Sequence, residues 1–311
     1  FRISYKIYKI MKDWAVKKRG NLMSEKTKGI LCIIFSALSF AFMSLFIKLS
    51  GDIPTLQKSF FRNFVAAVVA YAMLKKNHTP LKCSKESFKY VFGRAFFGTV
   101  GIFCNFYGVD HLNIADASML NKLSPFFAIV FSYFILKERV EHYQVRCLIS
   151  AIIGAMFILK PSGDAMLSIP ALIAMIGGMG AGMAYTLLRK ATGMGVKGPF
   201  IVFFFSVFSC ICSLPYCILN YTHMEPIQWF YLFMTGVAAT FGQFFITAAY
   251  SHAPAKELSV YDYSNVIFAG ILGFIILGEI PDVFSYIGCV LIIAPAVIMF
   301  VIGNKKEKQE V

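Results

Sequence analysis

The chain has 311 residues, of which 58% are hydrophobic and only 15% charged, with a mean hydropathy of +0.68 and a formal net charge of +14. Soluble domains carry nearer a quarter of charged residues, so this composition excludes an ordinary soluble globule. The apolar residues gather into about ten stretches of roughly 17–22 residues, the length that crosses a hydrocarbon core about 30 Å thick. A membrane β-barrel would show short alternating segments instead. The fold expected is all-α and polytopic. Nucleic acid is excluded as a partner despite the charge, because the basic residues sit at the ends of apolar stretches and in alternate loops.

Residues 1–22 are basic (Lys6, Lys9, Lys12, Lys17, Lys18, Arg19) and lack the apolar core of a signal peptide. Met23-Ser24-Glu25 reads as a natural start, which sets residues 1–22 apart; residues 1–28 together read as a basic cytoplasmic tail. Membrane helices are expected at 29–47, 59–74, 93–109, 115–136, 144–160, 168–188, 199–219, 227–249, 257–277 and 283–302. With the N-terminus inside, the tails and alternate loops 75–94, 137–146, 189–198 and 250–256 hold 25 of the 30 basic residues. The outer loops 110–114, 220–226 and 278–282 hold none. This bias places both termini in the cytoplasm, in a multi-pass protein of a plasma membrane of the bacterial inner-membrane type.

Residues 93–138 and 234–279 align without gaps and share ten identical pairs over 46 positions, among them Gly101/Gly242, Ser118/Ser259 and Glu138/Glu279. Both stretches end in Ile-Leu-x-Glu. The offset of 141 residues also relates Lys48 to Arg189, at the ends of the first and sixth helices. Ten helices in two repeats give five each, and an odd number makes the second repeat enter the membrane from the opposite face. The expected domains are 29–161 and 168–302, followed by a cytoplasmic tail, 303–311.

The tract Ala115-Asp116-Ala117-Ser118 through Ser124-Pro125 to Leu136-Lys137-Glu138, its weaker echo ending Leu277-Gly278-Glu279-Ile280, and Arg62 early in the second helix carry a family resemblance. From about residue 29 to 302 the chain resembles the drug/metabolite transporter superfamily, specifically permeases with two tandem EamA domains of five helices. The second repeat departs from that pattern, since Pro125 maps onto Val266. The resemblance implies a transporter whose halves rock around a cavity lined by the first, third, fourth, sixth, eighth and ninth helices. Its members handle amino acids, nucleotide-sugar-like compounds, S-adenosylmethionine and other small metabolites.

Polar groups inside apolar helices are costly and are functional candidates by default. Ser118, Asn121, Lys122 and Pro125 share one face of the fourth helix, and Pro125 leaves the Asn121 carbonyl without its helical partner. This cluster suits a substrate carboxylate or phosphate. Alternatively, Lys122, about 10 Å inside the boundary, snorkels to water. The ninth helix carries Tyr261, Asp262, Tyr263 and Asn265, with Asp262 as the repeat partner of Asn121. Asp262 is a candidate for proton coupling or a substrate amine, or else a structural aspartate. Helix depth places Lys122 and Asp262 about 10 Å apart along the membrane normal, so their pairing is not implied.

Asn105, Tyr107, Tyr185 and Gln243 complete the substrate-binding candidates. Arg62 is a gating or structural candidate that would hold an anion or pair with Asp52, and Pro125, Glu138 and Glu279 join it. The glycines at 98, 101 and 108 and at 177–182 read as helix-packing faces, and the latter lack the preceding strand that a dinucleotide loop requires. Most of the eight cysteines lie in apolar helices, and the five histidines are scattered, so no metal or other cofactor is expected.

The function expected is a secondary active transporter for a small polar or zwitterionic, amino-acid-like metabolite. A proton or sodium ion is the expected coupling partner, in a monomer or homodimer within the lipid bilayer. An S-adenosylmethionine or nucleoside-type transporter is the alternative substrate reading. An intramembrane enzyme or lipid-handling protein is the alternative class, but it needs paired carboxylates or a metal set at matched depth.

Overall fold

The computed structural model describes residues 25–78, 81, 83–137, 140–159, 168–252 and 260–307. Residues 1–24, Glu138 and residues 308–311 lie outside the described residues. Among the described residues the chain is all helix without strands: α1 (Glu25–Leu49), α2 (Thr55–Lys76), α3 (Lys85–His111), α4 (Ile114–Asn121), α5 (Ser124–Ile135), α6 (His142–Leu159), α7 (Ile169–Gly193), α8 (Gly198–Leu219), α9 (Pro226–His252), α10 (Ser264–Leu272), a π-helical turn (Gly273–Leu277) and α11 (Val283–Glu307). Among the described residues seven stretches are long and apolar enough to cross a membrane, and α6 is a shorter apolar helix. The helices α2 and α3 fall outside that set and carry the buried charges Lys58, Arg62 and Arg94. Large apolar side chains such as Phe134, Ile218, Ile275 and Val290 point outward, as a lipid-facing surface requires.

The fourth expected helix, 115–136, is not continuous. It breaks at Lys122-Leu123 into α4 and α5, with Pro125 in the first turn of α5. Proline lacks the N–H that would continue the ladder but fits a helix start, so the break falls just ahead of it. The ninth expected helix breaks at the repeat-equivalent place. A helical turn at 260–262 ends at Tyr263, and α10 begins at Ser264. No proline is present there. The Tyr263 hydroxyl instead donates a 3.0 Å hydrogen bond to the Lys122 carbonyl, tying one break to the other.

Packing follows the repeat. The contacts of α3 with α7 are mirrored by those of α9 with α1, α5 with α7 by α10 with α1, and α3 with α8 by α9 with α2. Small residues make the close approaches. Gly101 lies on Gly177 and Gly180, and at the equivalent positions the Ser36 hydroxyl donates to the Gly242 carbonyl at 2.8 Å. A Cβ at Gly178 would stand 2.5 Å from the Leu120 carbonyl oxygen, so only glycine lets α7 lie against the end of α4. The glycine faces are packing surfaces, and a second such contact, Gly154 against Gly288, joins α6 to α11.

At the start of α4 the charges are paired. Glu279 accepts the Ile114 N–H at 2.8 Å, serving as its cap, and its other oxygen is 3.0 Å from Lys48 Nζ. Lys48 also donates to the Leu112 carbonyl. Nearby, Lys58 pairs with Asp110 at 2.5 Å and donates to the Ile47 carbonyl.

Candidate functional site

Between the halves lies a cleft of about 770 Å³ of empty space, counting the part open to solvent. Its walls come from α1, α3, α4, α7, α9 and α10, the helices expected to line a cavity, and also from α2 and α8 through Arg62 and Phe205. Of the residues predicted for substrate binding, Asn105, Ser118, Asn121, Lys122, Tyr185, Gln243 and Asn265 line it together.

The remaining predicted residues do not line it. Tyr107 stacks on His111, with ring centroids 4.0 Å apart, and Tyr261 stands edge-on to Phe300. Tyr263 is buried in the apolar cluster around Leu120 and Leu123 while holding the Lys122 carbonyl. Asn265 combines both roles, since its amide donates 2.8 Å to the Ala37 carbonyl.

The expected separation of Lys122 and Asp262 is corrected. Lys122 Nζ lies 2.6 Å from Asp262 Oδ2, and both residues are buried. Depth counted along straight helices fails here because both helices break at this level. The long lysine stem then crosses from one break to the other. Lys122 therefore does not snorkel outward: its charge is held inside the protein by a carboxylate from the other repeat. The second oxygen, Asp262 Oδ1, is buried without a hydrogen bond among the described residues.

Arg62 is not paired with Asp52. Only 2% exposed, it lines the cleft, with one guanidinium N–H donated to the Asn63 side chain. Beside it is Arg94, 5% exposed, which sequence reasoning assigned to a cytoplasmic loop. The structure starts α3 eight residues earlier than expected, at Lys85 rather than 93, with Ser84 accepting the Ser87 N–H as its cap. Arg94 is thereby carried into the helix interior, where its guanidinium carbon stands 4.2 Å from the centroid of Phe205. Its place is made by Gly98, one turn on, where a Cβ would collide with Arg94 Nη1. The readable signal was an arginine one helical turn ahead of a glycine face.

Glu279 accepts the Ile114 N–H at the start of α4, and Pro125 lies in the first turn of α5, just after the break. Glu138 lies outside the described residues. Among the described residues no group of three His, Cys, Asp or Glu side chains is placed to hold a metal.

Two consecutive stretches, residues 27–160 and 168–301, match the EamA-like transporter family. The pseudopaline exporter CntI of Pseudomonas aeruginosa (strain UCBPP-PA14) is 27% identical over 271 residues, covering 86% of this chain and 94% of that protein. The S-adenosylmethionine uptake transporter of Rickettsia prowazekii (strain Madrid E) is 22% identical over 280 residues, covering 89% and 94%. A solved crystal structure 16% identical to this chain shares its fold with a TM-score of 0.65, over 90% of this chain and 99% of that one. The matched repeats, the apolar helices and the polar cleft between them agree, and the chain belongs to the EamA-like transporter family, as a multi-pass membrane transporter with two tandem EamA domains.

Proposed function

We propose that the chain is a secondary active transporter that carries a small polar or zwitterionic, amino-acid-like metabolite across the plasma membrane by alternating access. The observation that carries this reading is the Lys122–Asp262 pair, which joins the two repeats at their helix breaks beside the cleft. A cleft walled by both halves changes its access when the halves rock, and a buried ion pair between them is the contact such rocking must remake. The two repeats are inverted in the membrane, five helices each, with both termini cytoplasmic. Support comes from the start of α4 meeting the end of the ninth helix at Glu279, as antiparallel equivalents would. The buried and underused Asp262 carboxylate suits a coupling proton.

S-adenosylmethionine and nucleoside-type substrates, the former carried by the Rickettsia relative, are served less well. Among the described residues the one carboxylate beside the cleft is already engaged by Lys122, and the cleft lining is cationic. An intramembrane enzyme is disfavoured, because among the described residues no carboxylate lines the cleft and Asp262, beside it, is engaged by Lys122.

The test is counterflow in proteoliposomes of the full chain with labelled amino acids, carboxylates, nucleosides and S-adenosylmethionine. A compound exchanged by the wild type, with exchange lost in Lys122→Ala and Asp262→Asn, is the expected result. Unchanged exchange in both variants would overturn the assignment of the site. No exchange of any compound class would overturn the transporter mechanism.

A further inference from the structure

The charges around the cleft do not balance. Lys48–Glu279, Lys58–Asp110 and Lys122–Asp262 form ion pairs, and among the described residues neither Arg62 nor Arg94 takes part in one. Both guanidinium carbons face the same ring, Phe205, at 5.8 and 4.2 Å from its centroid, so their separation cannot exceed the sum of those distances. Each lies within reach of the other's charge and of Tyr185. Arg62 Nε, together with Arg94 Nε and Nη1, is buried and donates to no acceptor.

The Phe205 face offsets only a small part of the cost of burying two like charges side by side. A guanidinium is a planar fork of donors that fits the two oxygens of a carboxylate or phosphate, and two such forks beside an open cleft form a receptor awaiting anions. The neighbouring wall groups Ser118, Asn121 and Gln243 are uncharged and add hydrogen bonds but no counter-charge.

Resting on the transporter reading above, and narrowing its substrate to the polar, anionic branch instead of the zwitterionic one, we infer that the cleft takes a small dianion, its anionic groups held by Arg62 and Arg94 against Phe205. With Lys122 cancelled by Asp262, the cleft carries two uncompensated positive charges, and a dianion makes the loaded site electrically neutral. Neutrality matters because the loaded site is walled on its other sides by the apolar helices α7, α8 and α9, where an unbalanced charge is expensive. Gly98 is a positioning residue in this scheme, since any side chain there displaces the Arg94 guanidinium.

The experiment is ligand-dependent thermal stability and titration calorimetry of the full purified chain in detergent. The probes are succinate, glutarate and inorganic phosphate, set against alanine and choline. The three dianions are expected to stabilise the protein more than alanine or choline. Arg62→Gln and Arg94→Gln are each expected to weaken dianion affinity about tenfold or more. Arg94→Lys, which keeps the charge without the fork, should lose less, and Gly98→Ala should weaken binding with every charge retained. A response to succinate and glutarate alone would identify carboxylates as the bound groups, and a response to phosphate alone would identify a phosphate; either supports the inference. Dianion binding that is unchanged in both glutamine variants, or absent in the wild type, overturns it. Alanine binding that depends on Lys122 but on neither arginine would also overturn it while leaving the transporter reading standing. Arginine-dependent binding without counterflow would instead leave the receptor in place and remove the transport mechanism.

Discussion

Around the start of α4 the cations, one buried and one partly exposed, have answering partners, whereas beside the cleft three cations face one carboxylate among the described residues. Lys58 sits 2.5 Å from Asp110, and Lys48 touches both Glu279 and the Leu112 carbonyl. Glu279 also caps α4 through the Ile114 N–H. Among the described residues Lys122 has its carboxylate in the cleft, and Arg62 and Arg94 have none. The first arrangement fastens helix ends, and its charges are satisfied within the fold. The second leaves donors and charge unspent, which protein structure tolerates where a ligand completes the site. Burial alone does not separate these roles; the balance of partners does.

The largest effect that tests this contrast is Lys58→Met, which leaves the partly buried Asp110 without its counter-ion. A loss of about 3–5 kcal/mol is expected in thermal or denaturant unfolding in detergent. The double substitution Lys58→Met with Asp110→Leu should recover most of that loss, since both charges are then gone. Equal losses in the single and double variants would break the contrast at its structural end.

Gly178→Ala comes next. Its Cβ would meet the Leu120 carbonyl oxygen at 2.5 Å, and backbone cannot step aside as a side chain can. A loss of about 1–3 kcal/mol in the same unfolding measurement is expected. A neutral result would mean that α7 is free to move off the break.

Arg94→Gln sharpens the other end of the contrast. Removing a cation that has no partner should leave the unliganded protein within about 1 kcal/mol of wild type, or more stable, while binding falls. A loss as large as that of Lys58→Met would show that Arg94 is structural after all. The smallest effect is expected for Pro125→Ala, within about 1 kcal/mol. The second repeat forms its break at Tyr263 without a proline, so the first break should persist without Pro125 as well. Hydrogen exchange of amides around Leu123 would detect a helix that had become continuous.

Much of this architecture was legible in the sequence, for identifiable reasons. Apolar run lengths and the 141-residue offset report the helices and the two repeats directly. Asn121, Lys122 and Asp262 stood out because their neighbours are apolar. The contact between Lys122 and Asp262 was not legible, since counting depth assumes straight helices, and the break at Tyr263 has no proline to announce it. Arg94 was hidden for another reason. An arginine at the edge of an apolar run looks the same whether it ends a cytoplasmic loop or extends the helix inward, and the cap at Ser84 decides between them. Tyr107, Tyr261 and Tyr263 were over-read because aromatic side chains pack in cores as readily as they line clefts.

The residues at the ends of the two Ile-Leu-x-Glu tracts differ in a way with a practical use. Gly278 adopts a left-handed backbone, with φ of 67°, and its equivalent Lys137 does the same at φ 56°. Glycine takes that conformation freely, whereas lysine holds it against its own Cβ. Lys137→Gly thus offers a stabilising change of up to about 1 kcal/mol, borrowed from the opposite repeat and remote from the cleft. For a transporter whose study depends on surviving detergent, one half of the molecule already contains the design for improving the other.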